Sequence, residues 1–328
     1  MKRLLASLVG ILALAPGVAS SAPSSFRNSV AAKAATALGE RASLPVLVHA
    51  AAPGTDAVFE TLLRRFNAPI GAIKTADAGA AKVTGNVKEA RGKGWFLEVS
   101  RDGEVAHYRN SAEIENAGRG VALNERISDA DAVSKANAFV SEALSSVVVL
   151  GEGETLEPWY VSYGISTSAP ASATPVEPEK RVQAAKVVFT RAIDGIPVVG
   201  NGSKVTVLLK HDGTPIGFDL NWARLERKAG SKQDVIAADA ANERIKTLSH
   251  QRSGGAQEVQ KSKVECGLFD SGSASAGSKL QAACMHTYTL SLPASGLVPK
   301  TAWVDAVPVS RQVEKDTAWP ESSLFVTP

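Results

Sequence analysis

Alternating apolar and polar residues, interrupted by Asp-Gly pairs, are the dominant pattern along this chain. In residues 191–226 apolar side chains recur at every second position, and the pairs Asp194-Gly195 and Asp212-Gly213 separate the alternating runs. A period of two predicts strands with one buried face, and Asp-Gly is a typical hairpin turn because both residues tolerate positive φ. The segment therefore predicts at least three antiparallel strands, and we assign the four turn residues a structural role.

Helical periodicity precedes each group of predicted strands. Ser128 is a typical N-cap, and Val133 and Ala136 begin a run of apolar residues at helical spacing that continues to about residue 147. A second helix is predicted from about 233 to 249. Four predicted strands follow the first helix and three follow the second. This order predicts an α+β fold of repeated units, in each of which one helix packs on a curled antiparallel sheet.

The repeat, about a hundred residues long, predicts how the chain divides. Residues 126–227 and 228–328 form the two clearer units. Residues 23–125 also begin with a predicted helix and end with a predicted hairpin, which is compatible with a third, degenerate copy. Residues 166–180 are rich in Ser, Ala and Pro and predict a mobile loop. Composition leaves open whether this loop separates domains or interrupts a hairpin.

The first 22 residues have the pattern of a secretory signal peptide of bacterial type. Lys2 and Arg3 precede the apolar run 4–14, and small residues follow as far as Ala22. The alternative is a membrane anchor, but the apolar run is shorter than the roughly 18 residues that a spanning helix requires. We therefore expect a secreted or periplasmic protein, with no membrane span after removal of the signal.

The charge balance argues against nucleic acid as a partner. The chain has 36 Lys and Arg residues against 33 Asp and Glu, and removal of the signal takes away two of the positive charges. The remaining basic residues are scattered singly and form no block. A nearly neutral chain has no general field that attracts polyanions, so we expect no nucleic-acid binding.

Two cysteines, Cys266 and Cys284, lie within predicted strands near the C-terminus. An even pair in an exported chain favours a disulfide, and two ligands cannot complete a tetrahedral zinc site. A redox pair is the alternative, but the spacing is far from that of a CxxC motif. We expect a disulfide that stabilises the folded chain by about 3 kcal/mol in the chain-entropy model.

No motif for catalysis, cofactor binding or metal binding is evident. The five histidines are far apart and include no HExxH pattern. They are His49, His107, His211, His250 and His286. The segment "GNGSK" at 200–204 lacks the second glycine of a GxSxG elbow and leads into a strand, so it predicts a turn. We assign no catalytic, cofactor-binding or metal-binding residue, although a site assembled only by the fold stays open.

The segment "FTRAIDGIPVVGNGSKVTVLLKHDGTPIGF", with the preceding helix "ISDADAVSKANAFVSEAL", resembles the fungalysin/thermolysin propeptide motif and the related PepSY modules. The resemblance covers about 100 residues well. It implies cystatin-like α+β units that are exported, lack catalytic residues and bind a peptidase. No peptidase domain follows the module, so we expect it to act on a separate protein, such as a co-secreted peptidase or hydrolase.

Three functions follow from these observations. The first is a secreted, non-catalytic binding module that acts as an inhibitor, chaperone or accessory factor and captures an extended segment along an exposed strand edge. The second is a component of the cell envelope that self-associates through the same edges. The third is an enzyme whose site the sequence does not reveal. We expect no cofactor in the first two cases.

Overall fold

A computed structural model describes most of the chain downstream of the predicted signal peptide. The described residues are 43–67, 82–84, 87–116, 118, 120–168, 178–252, 259–272, 276–290, 301–311 and 323–326. The predicted signal peptide, 1–22, lies outside them.

The described residues form sixteen strands, which are hydrogen-bonded into one sheet. The strands are β1 (Ser43–His49), β2 (Lys82–Thr84), β3 (Val87–Gly92), β4 (Trp95–Ser100), β5 (Val105–Asn110), β6 (Val121–Ala122), β7 (Glu154–Ser168), β8 (Glu179–Ile193), β9 (Ile196–Gly200), β10 (Lys204–Lys210), β11 (Pro215–Asn221), β12 (Leu225–Asp234), β13 (Val259–Asp270), β14 (Lys279–Leu290), β15 (Thr301–Pro308) and β16 (Ser323–Val326). The α-helices are α1 (Thr55–Asn67), α2 (Ser111–Asn116), α3 (Asp129–Phe139) and α4 (Ala238–Arg252). A π-helical turn, Val140–Leu144, continues α3, and a 3-10 turn spans Leu123–Glu125.

Eight strands form an antiparallel part of the sheet, in the order β7-β8-β10-β11-β5-β4-β3-β2. Helices α1 and α3 pack on one face of this part and share one hydrophobic core with it. Aromatic rings from different elements meet there, with Phe66 of α1 stacked 4.6 Å from Tyr108 of β5 and 5.3 Å from Phe218 of β11. Side chains at every second strand position enter this core, as period-two alternation requires.

The remaining strands form the second part of the sheet around β13 and β14. After the turn at Asp194-Gly195, β9 pairs in parallel with β13. β14 then pairs with β13 and β15, and its first residues pair with β1, which also pairs with β12. A second hydrophobic core lies here, with Leu44, Ile196 and Leu268 buried in it together with Ile245 of α4.

The predicted fold of repeated cystatin-like units, each a helix on its own curled antiparallel sheet, is wrong. The strands form one large sheet of mixed direction, in which β5 pairs with β11, β12 with β1, and β9 in parallel with β13. Hydrophobic periodicity identifies strands and their buried faces, but it carries no information about which distant strand completes each ladder. The predicted domain boundaries rest on the same periodicity and stay a prediction.

The segments predicted as turns and as a loop lie between paired strands. Asp194 and Gly195 have φ of 50° and 78° at the β8–β9 turn, and Gly213 has φ of 88° at the β10–β11 turn, where Asp212 accepts a hydrogen bond from Thr214. Around the predicted loop 166–180, β7 and β8 pair as far as Ser168 opposite Glu179. The loop therefore interrupts a hairpin, and the residues at both of its ends belong to strands.

The predicted disulfide between Cys266 and Cys284 is present. The two residues lie directly opposite each other on β13 and β14, with their Cα atoms 3.9 Å apart. A disulfide is compatible with an extracellular location, where thiols are oxidised. Among the residues that the structure describes, no helix is long and apolar enough to cross a membrane.

We predict that the double substitution Cys266→Ala and Cys284→Ala lowers the free energy of unfolding by about 3 kcal/mol, because the unfolded chain regains the entropy of the closed loop. Urea denaturation of the oxidised protein, the reduced protein and the double variant measures this change. Reduced protein and variant should agree. A variant with the unfolding midpoint of the oxidised protein would contradict the prediction.

Candidate functional site

Buried ionisable side chains are concentrated where the two parts of the sheet meet. Asp270, at the end of β13, is 2% exposed. Its carboxylate accepts hydrogen bonds from Ser203 Oγ at 2.8 Å and from the backbone N–H of Gly272 at 2.9 Å, and His49 Nε2 lies 3.5 Å from one carboxylate oxygen. Burial by itself would raise the pKa of Asp270, but these contacts lower it below its ordinary value. The carboxylate is therefore charged at neutral pH.

We call the ionisable and polar side chains around Asp270 the junction cluster. Its members are His49, Glu104, Arg191, Ser203, Lys204 and Asp270. They come from both parts of the sheet, and each is less than a tenth exposed. Burial and the nearby Asp102 carboxylate raise the pKa of Glu104. Such a cluster is stable only if its charges are paired or hydrogen-bonded.

The segment that the sequence predicts as a turn, "GNGSK", holds Asp270 in place. A Cβ atom at Gly202 would lie 2.1 Å from the carboxyl carbon of Asp270, and one at Gly200 would lie 2.3 Å from its backbone oxygen. The backbone N–H of Gly202 donates to that same oxygen at 3.0 Å. The prediction of a turn missed this contact, because the two glycines have a partner that lies about 70 residues away in the sequence.

Arg191 of β8 is the first buried cation of the junction cluster. Its guanidinium lies 3.8 Å from the ring centre of Trp222 and donates to the backbone oxygen of Ala223 at 2.7 Å. The Glu154 carboxylate is 3.7 Å from its Nε. Burial lowers the pKa of Arg191, and the carboxylates of Glu154 and Asp270 oppose that shift. Arg191 thus balances negative charge inside the junction.

Lys204 of β10 is the second buried cation. Its Nζ donates to Thr190 Oγ1 and to the backbone oxygen of Val198, both at 2.6 Å, and lies 4.5 Å from the ring centre of Trp159. Burial lowers the pKa of Lys204 to about 7, although the Asp270 carboxylate opposes the shift. A neutral amine still has two N–H donors, so it satisfies both acceptors without charge.

The junction cluster contains the residue types of a hydrolase triad, but in a different arrangement. In a triad the histidine lies between serine and aspartate, so that it can take the serine proton. Here Asp270 lies between Ser203 and His49, and the Ser203 hydroxyl donates a hydrogen bond to the carboxylate. All three side chains are at least 97% buried. The described part of the chain also contains no group of three or more His, Cys, Asp or Glu residues that could hold a metal ion.

Of the other four histidines, His250 lies in α4, and the three whose side chains the structure describes lie in separate elements. His107 of β5 faces solvent, and its Nδ1 is 2.8 Å from Asp219 Oδ1 on β11. His211 lies in the β10–β11 turn. His286 is buried within β14, and burial lowers its pKa. Each has its own surroundings, and the structure does not bring them into one site.

The second candidate feature is the outer edge of β7. Among the described strands, β7 pairs only with β8. An edge strand presents unpaired N–H and C=O groups, and proteins commonly block such edges with lysine, proline or bulges. Pro158 and an adjacent bulge interrupt the first half of β7. Within residues 161–168, "VSYGISTS", the ladder shifts again between Gly164 and Ile165, but the extra residue there, Gln183, belongs to β8. This half of β7 contains no charged residue, no proline and no extra residue of its own, so its edge is open to pairing.

The edge strand β12 provides a contrast. It pairs only with β1 among the described strands, and its side chains are exposed along nearly the whole strand. Arg227, Lys228 and Lys232 lie on it, and the ladder with β1 is broken by an irregularity. These are the features that protect an edge from further pairing. Of these two edges, only the far half of β7 has no charged residue, no proline and no extra residue on the edge strand itself.

Tyr163 fixes the open half of β7 to the start of α3. Its hydroxyl donates to Asp129 Oδ1 and lies 2.8 Å from that oxygen and from the backbone oxygen of Ile127. The guanidinium of Arg126 lies 4.7 Å from the Tyr163 ring centre. Burial and the Asp129 carboxylate raise the pKa of Tyr163, which stays protonated at physiological pH. The edge is therefore held on a rigid layer of strand and helix.

Comparisons with known proteins add little to this picture. No family model matches the chain, and no curated protein matches it. Among solved structures, an uncharacterized protein from Eubacterium rectale ATCC 33656 is similar over 83% of this chain and 87% of that chain, with 10% sequence identity and a TM-score of 0.47. A likeness at this level carries no argument about function. The resemblance to PepSY and propeptide modules stays a prediction.

We predict that Lys204→Met removes a rise in stability between pH 7 and pH 10. The pKa of Lys204 is about 7 in the folded protein against 10.5 as its ordinary value, so only the unfolded chain binds this proton between those values. Stability therefore increases as pH rises through this window, by on the order of 3 kcal/mol. Urea denaturation at pH 7 and pH 10 measures the difference.

The matched control is Lys228→Met at an exposed position of β12, which should retain the pH dependence of the wild type. Equal pH dependence in the wild type and in Lys204→Met would show that the buried amine does not titrate in this window.

Proposed function

We propose that the protein is an exported, non-catalytic binding protein that captures an extended segment of a second protein along the open edge of β7. The observation that carries this proposal is the uncharged, proline-free stretch 161–168 on a strand that pairs on one side only among the described strands. An extended segment that adds to this edge would satisfy the unpaired backbone groups of both chains.

The burial of the polar side chains in the junction cluster also favours a binding function over catalysis. The Asp270 carboxylate contacts both Ser203 and His49 inside the junction, and all three residues are at least 97% buried. Recognition by strand addition requires no reactive side chain, because backbone hydrogen bonds supply affinity and side-chain contacts supply specificity.

The partner that we propose is a co-secreted peptidase or hydrolase, for which the protein acts as an inhibitor, chaperone or accessory factor. Support comes from the resemblance to propeptide modules and from the pattern of a signal peptide in residues 1–22. The disulfide is a further feature of proteins that fold outside the cytoplasm.

A second candidate is self-association in the cell envelope. The same edge favours it, because two copies of an uncharged strand can pair antiparallel about a twofold axis without repulsion between like charges. Light scattering over a range of protein concentrations separates the two functions. A monomer at all concentrations excludes this candidate.

We predict that the double substitution Ile165→Lys and Thr167→Lys abolishes capture, because lysines on an edge strand oppose the addition of another strand. Both residues are exposed, so the fold should be retained. The measurement is retention of a saturable partner from culture medium by the immobilised wild type and variant. Ser231→Lys, on the exposed β12 edge, is the matched control and should retain the partner. Retention of the same partner by all three proteins would rule out the β7 edge.

A further inference from the structure

The face of the stretch 161–168 that is turned toward α3 is apolar. Val161 is buried in the larger core, and Tyr163 packs against that core. Because strand side chains alternate, Ile165 follows on the same side, where its partner on β8, Val182, is fully buried. Ile165 itself is 36% exposed. We call the line formed by Val161, Tyr163 and Ile165 the apolar row, and an added strand would place every second side chain beside it.

The opposite face of the same stretch carries only small residues. They are Ser162, Gly164, Ser166 and Ser168, which alternate with the apolar row, and we call them the small row. A Cβ atom added at Gly164 would lie 3.8 Å from the backbone oxygen of Ala184, and no other described atom beyond the chain neighbours would lie closer. The small row therefore leaves open space for longer side chains that reach across β7 from either side.

Lys186 of β8 lies directly beside the small row. It pairs with Ser162, and it points to the same face because its neighbour Val187 enters the core on the other side. No carboxylate of a described residue forms an ion pair with Lys186, whereas Arg181, which also lies beside the small row, is paired with Glu179. Among the described residues, Lys186 is thus a positive charge without a matching negative charge at this face.

The charges around the stretch as a whole favour a negative partner. Residues 179–187 of β8, which face the open stretch, contain the three basic residues Lys180, Arg181 and Lys186 against the single acidic residue Glu179, a net charge of three minus one. On the side of the apolar row, the Arg126 guanidinium lies over the Tyr163 ring, and the Asp129 carboxylate that accepts from the Tyr163 hydroxyl opposes its charge. The excess of positive charge therefore lies on the side of the small row.

From this arrangement we infer that the segment captured by β7 is acidic: an extended stretch whose apolar side chains, at alternate positions, pack beside the apolar row, and whose carboxylates, between them, lie over the small row and pair with Lys186. This inference rests on the proposed function and specifies its ligand. An added strand would lie about 10 Å from β8, twice the spacing of neighbouring strands. A lysine and a glutamate can meet over that distance because the residues between them are small.

A second copy of this chain does not have the inferred chemistry. Residues 161–168 contain no carboxylate, so a copy that paired through the same stretch would offer Lys186 no partner. The charge at the small row therefore favours a segment of a different protein.

The probe is a fluorescent synthetic peptide in which valines alternate with glutamate or serine. Fluorescence anisotropy should show saturable binding to the full chain, and the binding should weaken as salt is added. A peptide with glutamine in place of glutamate should bind about threefold more weakly, and one with lysine in place of glutamate about tenfold more weakly. Equal binding of the three peptides would overturn the inference.

The protein variant that tests the contact is Lys186→Glu. It should bind the glutamate peptide about tenfold more weakly than the wild type does, and it should bind the lysine peptide more tightly, because the ion pair re-forms with its charges exchanged. A variant that merely failed to fold would lose both peptides. Lys228→Glu, at an exposed position of β12, is the matched control and should keep the preference of the wild type. A folded Lys186→Glu protein that still prefers the glutamate peptide would overturn the inference.

Two further outcomes separate this inference from the proposed function. If the three peptides bind equally and the lysine pair at 165 and 167, on the side of the apolar row, abolishes their binding, then edge capture stands and the acidic ligand is wrong. If the probe instead dissociates a dimer of the protein in sedimentation experiments, the natural occupant is a second copy of this chain, and the inference of an acidic partner is overturned.

Discussion

The carboxylate of Asp270 is the constraint on which the rest of this structure depends. An unpaired buried charge is so unfavourable that every neighbour must compensate it, and removal of one partner from such a pair typically costs about 3 to 5 kcal/mol. Ser203, the backbone of Gly272 and His49 supply that compensation from three separate segments of the chain. Because those segments belong to different parts of the sheet, satisfying one carboxylate also joins the two parts.

This junction has a consequence for function. It buries the serine, histidine and lysine that would otherwise be the natural candidates for catalysis, and it uses their donors to hold strands together. The open half of β7 lies beyond the junction, on a hairpin that Tyr163 ties to α3. A rigid, unprotected strand edge is suited to recognition, since the capturing surface needs no ordering when a partner binds. The structure thus separates the groups that hold it together from the surface that we propose for binding.

Local features of this fold are predictable from the sequence, whereas its long-range pairings are not. The disulfide and the strands on either side of Asp194-Gly195 follow from residue type and spacing over a few positions. The prediction of repeated units is wrong because β5 pairs with β11 and β9 pairs with β13. The residues of one strand do not indicate which distant strand pairs with it. The junction cluster was missed for the same reason, since His49 and Asp270 are remote in sequence. Gly200 and Gly202 are needed for the close contact with Asp270, but in the sequence such glycines are equally typical of an ordinary turn.

The central claim is that residues 161–168 form an open edge, and residue-resolved amide hydrogen exchange tests it most directly. In an edge strand only alternate amides are bonded to the neighbouring strand, so protected and rapidly exchanging amides should alternate along 161–168. Residues 184–187 of β8, which face 161–164 and pair with β7 on one side and with β10 on the other, should be protected without interruption. Uniform protection along 161–168 in the isolated protein would mean that another segment already covers the edge, and would contradict this account.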